Sequence, residues 1–192
     1  VQNGYIFNKK VSLLKLKDLS KNLQALIKDS RIFRGEDFYK NFRYDVTGYK
    51  LLGEAGKDVY NRLEIKFNPD FIKYIYPKTD DAELIVNNSL ANVFVPGTIR
   101  FNTIPLLAIF SEDKMVSSGS FMLDLKDTIK NKAFVVWMNS VFMIAYIRLS
   151  FLSEEGNFGH ISGYLMDNLP FFEDETIIKK LSAIFDKYKN ID

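Results

Sequence analysis

Residues 91–127 read ANVFVPGTIRFNTIPLLAIFSEDKMVSSGSFMLDLKD. Within them ANVFVPGTIRF, LLAIFS and KMVSSGSFMLDL are short β-branched and aromatic runs, punctuated by Asn, Pro and Gly. Such runs form strands. The last turns at Ser117, Ser118 and Gly119, the composition of a hairpin. ELIVNNS, residues 83–89, has the same β-like composition and extends the strand-rich middle backward.

Outward from this middle, both flanks become helical. After Asp127 the pattern predicts a helix from Asn131 to about Ser150. SEEGNFGHISGY, residues 153–164, reads as a Gly-rich loop, and Leu169-Pro170-Phe171 ends the extended part. A last helix over about 174–189 sets Ile177, Ile178, Leu181, Ile184, Phe185 and Tyr188 on one stripe. Asp174 and Glu175 lie at its positive end, and Lys187 and Lys189 at its negative end. Upstream, SLLKLKDLSKNLQALIKD over 12–29 spaces its leucines as a helix, with Ser12 as cap. Residues 31–58 hold four glycines and read as loops and turns. RLEIKF, 62–67, alternates like a strand, and NPDFIKYIYPKTDD, 68–81, reads as a short helix or turn between prolines. The fold class is therefore α+β: a mixed, mostly antiparallel sheet with flanking helices and a C-terminal amphipathic helix. The expected organisation is one domain over 1–192: a linker and helix over 1–30, a variable region over 31–83 and a core over 84–192.

Composition removes several chemistries. The chain of 192 residues carries 26 Lys and Arg, 24 Asp and Glu, one His and no Cys. Without Cys there is no disulfide framework, thiolate zinc site, iron–sulfur cluster or Cys nucleophile. One His excludes a two-His metal centre within the chain. The net charge of +2 does not by itself announce nucleic acid. The distribution is more telling, because Arg100 is the one charged residue from Leu84 to Ser111. No signal peptide is visible, and Ala133 to Ile147 falls short of the about 20 apolar residues of a spanning helix. The absence of Cys fits a cytoplasmic protein.

Catalytic outlines are thin. No glycine-rich nucleotide cradle is present. His160 would have to serve as base for a Ser-His-Asp triad, and no Gly-x-Ser-x-Gly elbow exists, so it reads as a surface or packing residue. Asp70, with Glu112-Asp113-Lys114 after a strand, matches the outline of a metal-dependent nuclease; Glu64-Ile65-Lys66 is another acidic-x-Lys. The alternative is that Glu112 and Lys114 cap a hairpin in solvent, since such short patterns arise easily by chance. A third outline is a protein-interaction domain using the apolar stripe of the C-terminal helix.

Binding outlines are richer. A lone Arg in an apolar zone needs a pair or a polar partner. Arg100 with Asn102 on the same strand face can read guanine and adenine edges. An internal ion pair for Arg100 and a turn role for Asn102 are the alternative. Ser117, Ser118 and Ser120 suit phosphate contacts or turn chemistry. Arg31, Arg34, Lys40, Arg43 and Lys50 interleave with Phe33, Phe38, Tyr39, Phe42, Tyr44 and Tyr49, a pattern that follows a phosphate backbone or surrounds a local aromatic cluster.

The order Val95-Pro-Gly-Thr-Ile-Arg-Phe-Asn-Thr103, Ser117-Ser-Gly-Ser-Phe121, Trp137-Met-Asn-Ser140 and Leu165-Met-Asp-Asn-Leu-Pro170 before an amphipathic helix resembles a DNA target-recognition domain. Such specificity domains accompany the catalytic half of adenine-specific DNA methyltransferases and restriction–modification enzymes. The similarity covers about 84–190; residues 1–83 carry no matching motif. The resemblance implies sequence-specific binding of double-stranded DNA through Arg100, Asn102, Thr103, Lys114, Ser117, Ser118 and Ser120. Arg34 and Arg43 are further candidates from the basic, aromatic segment. It makes the helix with Trp137 and Phe142 a core support, and has Asn139 and Ser140 hold backbone turns. The Asn- or Asp-Pro-Pro-aromatic methyltransferase loop and the glycine motif for S-adenosylmethionine are both missing. The implied chain is non-catalytic, a fragment with no cofactor of its own, and S-adenosylmethionine belongs to a catalytic domain or subunit preceding Val1.

Overall fold

The computed structural model describes residues 2–6, 9–19, 30–53, 63–65, 72–100, 106–150 and 158–189. Strand β5 (Ala91–Pro96) lies inside the largest sheet, whose order is β4-β3-β7-β5-β8. Here β3 is Phe42–Leu52, β4 Ile72–Pro77, β7 Ile109–Ser117 and β8 Ser120–Leu123. Successive side chains of a strand point to opposite faces. Val93 and Val95 accordingly enter one hydrophobic cluster, and Phe94 enters a second. Burial on both faces explains why this strand reads as a continuous apolar run.

The first cluster is closed by helices α4 (Thr128–Met138) and α7 (Glu175–Tyr188). Asp127 caps α4 by accepting from the backbone N–H groups of Ile129 and Lys130, and Asp174 does the same for α7 at Thr176 and Ile177. Phe185 of α7 meets Phe110 edge to face at 5.3 Å. Lys132 reaches across to Asp186 at 2.8 Å and Lys130 to Glu175 at 3.0 Å. The second cluster lies under helices α2 (Gly35–Asn41) and α3 (Asp80–Ser89), around Phe33, Phe38, Phe42, Val86 and Phe94. A three-stranded sheet joins the chain's two ends: β1 (Gln2–Ile6), β2 (Lys9–Lys15) and β10 (Pro170–Phe172), in the order β1-β2-β10. A two-stranded ribbon pairs β6 (Thr98–Arg100) with β9 (Phe158–His160). The described strand pairs are antiparallel except β3 with β7 and the isolated bridge Glu64–Phe110, which are parallel. The α+β class is what the sequence predicts.

Several local expectations are corrected. Leucines 13 and 14 lie in strand β2, and only Leu16–Leu19 forms a short helix, α1; residues 20–29 lie outside the described ones. Pairing with β1 and β10 overrides the helical spacing, so residues 9–15 are a middle strand rather than a linker. The segment expected as loops over 31–58 contains a 3-10 turn at Arg31–Phe33, helix α2 and the long strand β3; residues 54–60 are not described. Ile72–Pro77 is a strand paired with β3, not a helix. ELIVNNS falls in α3, where Thr79 caps the start by accepting from the Ala82 N–H. Of RLEIKF, residues 63–65 are described, and Glu64 bridges to Phe110. Ser118 and Gly119 do join β7 to β8, but both strands pair with β5. The Gly-rich loop contains β9 and the start of helix α6 (Gly163–Asn168), capped by Ser162; residues 153–157 are not described.

The expected helix to Ser150 is two helices. Helix α5 (Val141–Ser150) follows α4 at a bend of 66°. Asn139 makes the break. Its side-chain oxygen accepts from the N–H groups of Leu107 and Ala108, and its nitrogen donates to the carbonyls of Ala108 and Val135. Ser140 Oγ accepts from the Met143 N–H at 3.3 Å. Both residues hold backbone, as the resemblance implies. Trp137 is a core residue whose indole N–H donates to the Pro170 carbonyl at 2.7 Å. Phe142 is not: it is 59% exposed, because α5 turns inward through Met143 and Ile147. Among the described residues no single helix is long and apolar enough to cross a membrane.

Candidate nucleic-acid interface

The expected contact residues do not form one surface. Arg34 and Ser118 line a cleft of about 350 Å³ with Phe38, Tyr39, Tyr44 and Lys73. Arg34 also lines a second cleft, of about 330 Å³, with Arg31, Thr98, Ser120 and His160. Arg34 is thus shared by both. Among the described residues no Asp or Glu lines either cleft. No described carboxylate pairs with Arg34, so its guanidinium keeps five donors for a ligand.

Local structure explains the placement. Arg34 is extended and precedes Gly35, whose φ of +63° is a left-handed conformation that glycine adopts without strain. Phe33, Phe38 and Phe42 are buried together, with Phe33 and Phe42 stacked at 5.4 Å. These rings serve the core, which settles half of the aromatic segment as packing. Tyr39 and Tyr44, in contrast, are 66% and 52% exposed and rest on the Phe38 ring at 5.2 and 4.8 Å. Lys73 Nζ stands 5.4 Å over the Tyr44 ring.

The turn between the clefts is built by Ser117. Its side chain is fully buried, and its Oγ accepts from the N–H groups of Gly119 and Ser120. Ser117 is therefore a turn residue and presents nothing to a ligand. Ser118 is half-buried, with its N–H on the Leu52 carbonyl at 3.0 Å. Gly97 N–H meets the Gly119 carbonyl, and Ile161 N–H meets the Gly97 carbonyl. These bonds tie the β6–β9 ribbon to the turn. On the ribbon Thr98 Oγ1 and His160 Nδ1 are 3.2 Å apart.

Arg100 belongs to this ribbon, its backbone opposite Phe158, so the strand that carries it adjoins the second cleft. Asn102, Thr103 and the side chain of Arg100 lie outside the described residues. Lys114 and Arg43 line neither cleft. Lys114 Nζ pairs with Asp124 at 2.8 Å. Arg43 pairs with Asp45 at 3.5 Å and stacks on Tyr76 at 5.0 Å.

The nuclease outline is not assembled by the described residues. Glu112 is exposed and stands 3.9 Å from Lys189, while Lys114 is held by Asp124. Glu64 is buried on Lys189 at 3.1 Å, and hydrogen bonding to Glu64 holds the Lys189 ammonium above the usual lysine range. Asp70 lies outside the described residues. Among the described residues no group of three His, Asp or Glu lies close enough to hold a metal ion. On the stripe of α7, Ile178 and Phe185 are buried in the core, while Ile184 and Tyr188 are exposed.

Thr98 and Lys73 are not singled out by the sequence, and His160 is read there only as a surface or packing residue. What they share is a place on one of the two clefts, which only the folded arrangement makes visible. Compared with known proteins, the chain matches no family model and no curated sequence.

Proposed function

We propose that the chain is a non-catalytic, sequence-reading DNA-binding module, whose contact face is the Arg34 clefts and the adjoining Arg100 strand. The observation that carries this reading is the pair of clefts sharing Arg34, lined among the described residues by Lys73, Tyr39, Tyr44 and His160 and by no Asp or Glu. Cations gathered at a cleft suit phosphates, and exposed tyrosines suit bases. The near-neutral total is no objection, because a small module needs a few well-placed donors. The finer reading is the target-recognition domain of an adenine-specific DNA methyltransferase or restriction–modification enzyme. In that setting a separate catalytic domain binds S-adenosylmethionine and shares the DNA, and the complex works in the cytoplasm.

Selection of bound duplexes from a randomised pool tests the reading. Enrichment of one defined sequence is expected. Arg34→Ala should weaken binding about equally on all sequences and lower the slope of affinity against salt by about one, as loss of one phosphate contact does. Arg100→Ala should cost about 1–3 kcal/mol on the enriched sequence and relax one position of it. Uniform recovery of the pool, with no sequence enriched, would sink the proposal.

A further inference from the structure

The clefts are concave, and this constrains what can occupy them. A duplex groove is read by elements that protrude into it. A recess of about 350 Å³ receives something from the DNA instead. Its volume lies at the low end of small-ligand sites, roughly 300–1,000 Å³, and matches one nucleoside rather than a base pair. Its lining combines the exposed ring of Tyr39 and the ring of Tyr44 with the cations of Arg34 and Lys73. Phe38, 2% exposed, supports both tyrosines, so their positions are set by the core. An aromatic surface accepts any base by its π-face, and cations at the same rim hold the flanking phosphates.

Resting on the DNA-binding reading, we propose that this cleft takes one unpaired nucleotide: the base stacks on Tyr39 and Tyr44, and its phosphates lie on Arg34 and Lys73. The second cleft, which shares Arg34, then receives the backbone on the far side of that phosphate, against Arg31 and His160. The module distinguishes a distorted or opened duplex from a fully paired one.

Fluorescence anisotropy on three labelled duplexes of one sequence tests this: fully paired, with one unpaired nucleotide, and with one unpaired abasic nucleotide. The base-bearing bulge is expected to bind roughly tenfold tighter than the abasic one, the size of one base–aromatic stack. Tyr39→Ala should erase that difference and Tyr39→Phe should keep it. Tyr39 is largely exposed, so neither change threatens the fold. Paired duplex bound with no advantage for the base-bearing bulge overturns the inference and leaves the DNA-binding reading standing. A preference that survives both Tyr39→Ala and Tyr44→Ala also overturns it. Displacement of the bulged duplex by a free deoxynucleoside monophosphate at matching concentration overturns the strand context. No binding to any of the three duplexes removes the inference and the DNA-binding reading together.

Discussion

Asp124 shows how a single buried carboxylate organises the residues around it. It lies at the end of β8 and is 3% exposed. Burial alone would raise its carboxyl, but hydrogen bonds from Lys114, Asn131 and the Lys126 N–H outweigh burial and hold it below the usual carboxylate range. The Lys126 bond closes a turn that places Lys126 at φ 59°. A depressed folded pKa contributes stability that is present above the unfolded value, about 3.9, and is lost as pH falls through the folded value. Asp124→Asn is therefore expected to flatten the acid limb of stability below about pH 4, measured by denaturant midpoints at stepped pH. Asp124→Ala should cost about 1–3 kcal/mol at neutral pH, since Asn131 loses a buried acceptor. Lys114 is held on Asp124 in this network, away from both clefts.

At the scale of elements, the informative positions are those where two segments touch. Strands β3 and β4 change register between Tyr44 and Tyr49. Gly48 sits in that irregularity, and a Cβ there would collide with the carbonyl oxygen of Ile75. Backbone cannot yield as a side chain can, so Gly48→Ala is expected to destabilise by about 1–3 kcal/mol or more, read as a lowered denaturant midpoint. The break between α4 and α5 is the second such place. Asn139→Leu keeps the size but leaves the Leu107 and Ala108 N–H groups without their acceptor. A loss of at least about 2 kcal/mol is expected in chemical unfolding. An unchanged midpoint would mean that the helix bend does not depend on this amide. The Trp-x-Asn-Ser motif and the Leu-Pro before the last helix meet here too, through the indole N–H on Pro170.

At the scale of the whole molecule, a strand from the first fifteen residues closes on one from 170–172. β2 pairs with β10, and the Leu16 N–H donates to the Leu169 carbonyl. Leu14→Pro removes a donor from the middle strand of that sheet. A lowered denaturant midpoint is expected, by at least about 1 kcal/mol in stability, with the slope unchanged if unfolding remains one transition. The sequence alone determined the α+β class, the strand character of β5 and the C-terminal helix with acids at its start. All of these rest on local patterns: apolar runs, an Asp before a helix, a stripe of period 3.6. It also singled out Arg34, Ser118 and Ser120 as candidate contacts. Tertiary structure decided the rest. It made strands of residues 12–15 and 72–77, whose periodicity is ambiguous until partners β10 and β3 supply their hydrogen bonds. It buried Ser117, tied Lys114 to Asp124, and turned Phe142 to the surface. It also gathered Arg34, Lys73, Tyr39 and His160 around two adjoining clefts, because proximity across more than a hundred residues is fixed by packing and not by spacing along the chain.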